Sequence, residues 1–159
     1  MKKIMIVTLV ALFGICMAGN AVASDAATKD ECIAKCKEAA EMINKGGLDA
    51  AVAEIGKKDG KFVWKDTYVF LMDMNGKMLA HPVKPALTEK ESLLDITDKN
   101  AKSPKKIFVE FVNAAKSEKG EGWVDYMWPK PGEEKPASKD TFIYRVPGKD
   151  LFVGAGIYK

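Results

Sequence analysis

One hairpin constrains this chain more than any other feature. Thr67-Tyr68-Val69-Phe70-Leu71-Met72 is a run of aromatic and branched residues suited to a pleated surface. Asn75-Gly76 follows, and that pair tolerates the positive φ angles of a tight two-residue turn. Lys77 to His81 can then return antiparallel, until Pro82 and Pro85 forbid further ladder pairing. The chain is thereby committed to an antiparallel sheet.

The flanking segments say what covers that sheet. Thr28-Lys29-Asp30-Glu31 reads as a capping box, and Cys32, Ile33, Cys36, Ala39, Ala40 and Ile43 recur at helical spacing behind it. Gly46-Gly47 ends that helix. A second, short helix holds Leu48, Val52 and Ile55 on one side. Beyond the hairpin, Val83 to Ser103 reads as a long polar loop with one helical turn near Ser92 to Leu94, and loops of that length usually form or cover a site. Ser103-Pro104 is the expected cap and first turn of a helix with Ile107, Phe108, Phe111, Val112 and Ala115 on its apolar face, stopped by Gly120. Three strands are then expected: Glu121 to Trp128, Lys139 to Val146 and Leu151 to Tyr158. This is an α+β plan with one antiparallel sheet.

The first residues set the compartment. Lys2 and Lys3, the apolar run Ile4 to Met17, and Ala21-Val22-Ala23 follow the grammar of a secretory signal peptide, with cleavage after Ala23. The apolar run is short of the roughly 20 residues that span a membrane, and Phe13-Gly14-Ile15 before Cys16 matches a lipoprotein signal poorly. The expected organisation is a signal peptide at 1–23 and one domain at 24–159, periplasmic or secreted. Without Lys2 and Lys3 the formal charge falls from +3 to +1, and Arg145 is the one arginine, so nucleic acid is not an expected partner.

The order of motifs resembles a known family. The Asp73-Met74-Asn75-Gly76 turn, His81-Pro82, a long loop, a helix, Tyr126-Met127-Trp128-Pro129-Lys130-Pro131, and a closing Gly154-Ala155-Gly156-Ile157-Tyr158 are similar to the single Cache domain. Cache domains are PAS-like extracytoplasmic sensors of bacterial chemoreceptors and histidine kinases. The resemblance covers about Thr28 to Lys159 and implies a long N-terminal helix packed on a five-stranded antiparallel sheet, strand order 2-1-5-4-3, with a helical crossover. It also implies a pocket between one sheet face and the long loop, often holding a small organic acid. The residues it places there are His81, Pro82, Tyr126, Trp128 and Lys139. Two departures stand out. Where many relatives read Lys-x-Ser-Tyr, this chain has Lys139-Asp140-Thr141-Phe142, and Lys149-Asp150-Leu151-Phe152 replaces a Trp-Gly-Trp. Receptor members continue into a second membrane span, whereas this sequence stops at Lys159, so output is expected to pass through a membrane receptor or kinase.

Strand parity supports an aromatic face independently of that resemblance. Val124, Tyr126 and Trp128 share one side of their strand, Tyr68 pairs with Phe70, and Phe142 with Tyr144. Apolar walls with a few polar tips suit a small ligand, and Tyr68 and Tyr144 join the candidate binding residues. His81, the only histidine, has no evident co-ligands for a metal, and no cofactor is expected. No Ser-His-Asp arrangement, acid/base carboxylate pair or glycine-rich phosphate loop points to an enzyme. The expected function is binding of a short carboxylate. The alternative is a redox or interaction protein using Cys32 and Cys36, as buried thiols, a disulfide, or a link between two chains through the N-terminal helix.

Overall fold

The computed structural model describes residues 25–159. The expected signal peptide, with Cys16 and the Ala23 cleavage site, lies outside the described residues. Helix α1 (Lys29–Gly46) starts as its sequence dictates: the Thr28 hydroxyl accepts from the Glu31 N–H at 3.2 Å, and the Glu31 carboxylate accepts from the Thr28 N–H at 2.8 Å. Gly47, at φ 85°, breaks it before α2 (Leu48–Ile55). The buried side of α2 is Ala51 and Ile55; Leu48 is 40% exposed, which corrects the expectation that it shares the buried stripe.

The strands are β1 (Val63–Trp64), β2 (Thr67–Asp73), β3 (Met78–Ala80), β4 (Glu121–Pro129), β5 (Pro136–Arg145) and β6 (Leu151–Tyr158), every pairing antiparallel. The path runs β1-β2-β6-β5-β4, and β3 also pairs with β2. The five longer strands therefore lie in the order β3-β2-β6-β5-β4, the 2-1-5-4-3 arrangement implied by the resemblance. The two-residue β1 is an addition, joined to β2 by a turn in which Lys65 takes φ 47°. Strands β4 and β5 run on to a Pro129–Pro136 pair, leaving only 130–135 as their loop.

Two local expectations give way to contacts distant in sequence. The helical turn of the long loop is a 3-10 turn at Pro85–Glu89, not at Ser92. Ser92 instead ties the loop to the hairpin: its hydroxyl donates to the Asn75 carbonyl at 3.2 Å, and the Leu93 N–H donates to the Gly76 carbonyl at 2.9 Å. Gly76 sits at φ 85°, where a Cβ would come within 2.5 Å of Leu94. Helix α3 (Ile107–Lys116) begins three residues after Pro104. The Asp98 N–H donates to the Lys105 carbonyl and the Lys105 N–H to the Asp98 carboxylate, both at 2.9 Å, which holds the preceding residues in loop form.

Helices and loop cover opposite sides of the sheet. Helices α1 and α2 bury Cys32, Cys36, Ala39, Ala40 and Ile43 against Val69, Leu71, Phe142, Val153 and Ala155. Helix α3 and the long loop bury Ile107, Phe108, Phe111 and Leu93 against Tyr68, Phe70, Met72, Tyr126, Ile143 and Phe152.

Candidate functional site

Alternation along four strands builds the site on the α3 side. Tyr68 and Phe70 come from β2, Tyr126 and Trp128 from β4, Lys139 and Thr141 from β5, and Gly154, Gly156 and Tyr158 from β6. The two glycines make the room. A Cβ on Gly154 would lie 2.4 Å from the Phe70 ring, and one on Gly156 would lie 2.3 Å from the Thr141 hydroxyl and 2.9 Å from Lys139 Cε. The lysine can therefore lie along β6, where register sets it opposite Tyr158.

Lys139 is 1% exposed. Its Nζ donates to the Tyr158 hydroxyl at 3.2 Å and sits 4.2 Å from the Tyr68 ring centroid and 4.5 Å from that of Tyr158. Tyr158 in turn donates to the Pro129 carbonyl at 2.9 Å. Among the described residues no carboxylate lies within ion-pair distance of this ammonium, although Lys29 and Lys159 both pair with the adjacent Asp140. Burial holds its pKa down to about 7.

His81 stands beside it, its ring 4.7 Å from Tyr68 and 6.3 Å from Phe70. Its Nδ1 accepts from the backbone N–H groups of Lys84 at 2.9 Å and Val83 at 3.3 Å, so the proton resides on Nε2. Burial first, then the charges of Lys139 and Lys84, lower its pKa to about 3, so the ring is a neutral donor at physiological pH. The Tyr126 hydroxyl shares a hydrogen bond of 2.9 Å with Thr141. Its ring meets Phe111 edge-on at 5.2 Å, as Trp128 meets Phe108 at 6.1 Å. These rings enclose a cavity of about 10 Å³, room for roughly one water molecule, lined by Tyr68, Phe70, Met78, His81, Leu87, Ile107, Phe108, Tyr126 and Trp128.

Of the residues singled out in the sequence, Tyr68, His81, Tyr126 and Trp128 line this cavity, and Lys139 lies behind the Tyr68 ring. Pro82 is buried but is not part of the lining. Tyr144 is a correction: β5 parity turns it to the α1 side, where it stacks on Phe142 at 6.3 Å with Lys37 over its ring. Phe142 faces that side too, so the hydroxyl it lacks relative to Lys-x-Ser-Tyr is not missing from the cavity. Phe70 shares the Tyr68 face as strand parity expects, and the unforeseen members are Tyr158, Thr141, Met78, Leu87, Ile107 and Phe108. Parity against Lys139 could have flagged Thr141; Tyr158 required the β5–β6 register.

The cysteines take the first of their three expected forms, a pair of buried thiols. Both thiols are free and fully buried in the α1 face, so neither forms the possible disulfide, and neither reaches the surface that a link to another chain needs. Burial raises the Cys32 pKa to about 12 and that of Cys36 well above the usual thiol value, which keeps both in the unreactive thiol form. Among the described residues no His, Cys, Asp and Glu cluster could hold a metal ion, and no helix is long and apolar enough to cross a membrane.

Comparison with known proteins places this geometry. The sequence pattern of the Cache domain matches residues 56–159. A methyl-accepting chemotaxis protein, McpP, of Pseudomonas putida is 32% identical over 93 residues, and a sensor histidine kinase, MctS, of Rhizobium johnstonii 31% over 94 residues. Those stretches are 58% and 59% of this chain but 16% and 19% of the relatives, so the chain spans less than a fifth of either. Among solved structures, a methyl-accepting chemotaxis protein from Vibrio parahaemolyticus superposes with a TM-score of 0.65 at 25% identity, over 82% of this chain and 87% of that one. A Cache chemosensory domain described for its carboxylic acid recognition gives 0.61 at 25% identity, over 79% and 84%. The sheet order, the crossing helix and these matches lead to one conclusion: the chain belongs to the Cache domain family, the extracytoplasmic sensor fold of chemotaxis proteins and histidine kinases.

Proposed function

We propose that this protein is an exported sensor domain that binds a short carboxylate between Lys139 and His81 and reports its occupancy to a membrane receptor or kinase. One observation carries the reading: the Lys139 amine is buried in an aromatic cage, with a single tyrosine oxygen to accept from it and, among the described residues, no carboxylate within ion-pair distance. Burying a lone charge costs stability, and an anionic ligand would supply the missing partner. The neutral His81 would donate its Nε2–H to the second carboxylate oxygen, while Tyr68, Phe70, Phe108 and Trp128 exclude water from the alkyl part. The cavity as it stands holds about one water molecule, so even an acid of two or three carbons would require Leu87 and the 3-10 turn to shift outward. The carboxylic acid recognition described for a solved relative supports the ligand class.

The same geometry supports binding rather than catalysis. The His81 Nδ1 is engaged by two backbone N–H groups, where a general base would need an orienting carboxylate. Isothermal titration with acetate, propionate and a matched amide tests the proposal. Micromolar to millimolar binding of an acid, absent for its amide and abolished by Lys139→Met, is the expected result. Equal binding of acid and amide, or affinity unchanged in Lys139→Met, would overturn it.

A further inference from the structure

Trp128 has two sides. One faces the aromatic cavity; the other forms part of a separate groove of about 450 Å³ on the outer surface, within the range of small-molecule sites. The groove has a wall from the long loop, carrying Lys84 and Lys99, and a wall from the β4–β5 loop, carrying Glu133 and Glu134. Its floor is apolar, formed by Ile96, Met127, Trp128 and Pro129.

The walls are fixed in place. Asp98 is buried, and its carboxylate accepts from the backbone N–H groups of Lys105 at 2.9 Å and Met127 at 3.0 Å, fastening the loop wall to β4. The facing wall is closed by a turn in which the Glu133 N–H donates to the Lys130 carbonyl at 3.0 Å and Gly132 takes φ 80°. Yet none of the four charges is neutralised by a carboxylate or ammonium among the described residues: none of Lys84, Lys99, Glu133 and Glu134 belongs to an ion pair, while ten other pairs form elsewhere on the molecule. Lys84 rests 4.8 Å above the Trp128 ring, and partial burial together with the neighbouring Lys99 lowers its pKa. Two cations thus face two anions across an apolar floor, neither pair neutralising the other.

We propose that this groove is a second binding site, separate from the aromatic cavity, for a small zwitterion of dipeptide size. The ligand's ammonium would meet Glu133 and Glu134, its terminal carboxylate would meet Lys84 and Lys99, and an apolar side chain would lie on Ile96, Met127 and Pro129. The size follows from the groove. A groove of about 450 Å³ has room for a ligand of dipeptide size, and such a ligand carries its two charges at opposite ends of two residues, about 7 Å of extended chain.

Calorimetric titration with the dipeptide Ala-Phe, its N-acetyl form, its C-terminal amide and free phenylalanine provides the test. Ala-Phe binds, and each cap weakens it tenfold or more. In Glu133→Gln/Glu134→Gln, where both residues are exposed and the melting temperature stays within a degree or two of the parent, Ala-Phe affinity falls at least tenfold while acetate affinity is unchanged. In Lys139→Met, Ala-Phe binding persists. The proposal is overturned if Ala-Phe does not bind, or if its capped forms bind as well. Loss of Ala-Phe binding in Lys139→Met also overturns it, by placing the peptide in the inner cavity. Weakened acetate binding in the glutamate variant overturns it too, by making the charges a clasp over the inner site. If acetate fails to bind at all, the carboxylate reading falls, and the dipeptide measurements still decide this one.

Discussion

The two faces of the sheet are built from the same strands and obey different rules. In β5, Lys139, Thr141 and Ile143 point toward α3, while Asp140, Phe142 and Tyr144 point toward α1. The α1 face is closed by alanines, aliphatic and aromatic residues and two protonated thiols, and the buried charge on its side of β5, Asp140, is paired with Lys29 and Lys159. The α3 face buries a lysine, a histidine and three tyrosines, each held in a form its surroundings impose: the lysine close to neutrality, the histidine uncharged, the tyrosines protonated. A face that only had to stabilise the fold would resemble the first. The second retains groups that cost stability, the departure from a plain core that the proposed carboxylate site would call for.

Truncation on the α1 face gives the largest effect. Leu71 is fully buried against α1, and Leu71→Ala is expected to lower unfolding free energy by about 2–5 kcal/mol in a denaturant titration. Acetate affinity of the folded fraction should stay within about twofold. A large loss of affinity without a loss of stability would break the separation of the two faces.

The corresponding change on the other face inverts the result. Lys139→Met keeps the length and removes the lone charge, so stability near pH 6 should rise by roughly 1–4 kcal/mol, the range found when buried ionic groups become apolar. Carboxylate binding should fall by about 2–5 kcal/mol. A destabilised Lys139→Met variant would mean that the ammonium is already neutralised without ligand.

The pH dependence sharpens this further. Lys139, with a pKa of about 7 in the unliganded fold, faces Tyr158 and Tyr68 and feels Cys32, Asp66, Lys84 and His81 around it. A bound carboxylate favours the charged form, so binding takes up a proton above pH 7. Affinity is expected to be level from pH 5.5 to 7 and then to fall by up to tenfold per unit. Calorimetry in buffers of different ionisation enthalpy reads that proton directly. A step near 6.5 would instead point to His81 titrating. The folding side has the opposite sign. An unfolded lysine titrates near 10.4, so above pH 7 the unfolded state holds the extra proton and stability rises with pH, by at most about 1.4 kcal/mol per unit. The rise is clearest up to about pH 8.5, where unfolded thiols begin to ionise while native Cys32, at about 12, does not. Lys139→Met should abolish it.

How much of this could be read from the chain depended on the range of the interactions. The capping box at Thr28, the Asn75-Gly76 turn and the shared face of Tyr126 and Trp128 are decided within a few residues, and all are legible. The start of α3 was misplaced because Asp98 reaches Lys105 and Met127. The loop's helical turn was misplaced because Ser92 and Leu93 bind the hairpin across 17 residues. Tyr158 was missed and Tyr144 misdirected for one reason. Parity says which residues travel together, but only the pairing of Tyr126 with Lys139, and of Lys139 with Tyr158, says which of the two faces they join.

The smallest expected effect therefore discriminates most cleanly between the faces. Tyr144 and Tyr158 are both tyrosines near strand ends of the same β5–β6 pair, and replacing either with phenylalanine removes one hydroxyl. In Tyr158→Phe, Lys139 loses its one hydrogen-bond acceptor and the Pro129 carbonyl loses a donor, so carboxylate affinity should drop by about 1 kcal/mol. In Tyr144→Phe the ring keeps its stack on Phe142 and its contact with Lys37. Affinity should not change, and stability should move by less than about 0.5 kcal/mol, as for most half-exposed substitutions. If Tyr144→Phe weakened ligand binding as much as Tyr158→Phe, the ligand would be sensed through the sheet, and the α1 face could no longer be described as structural alone.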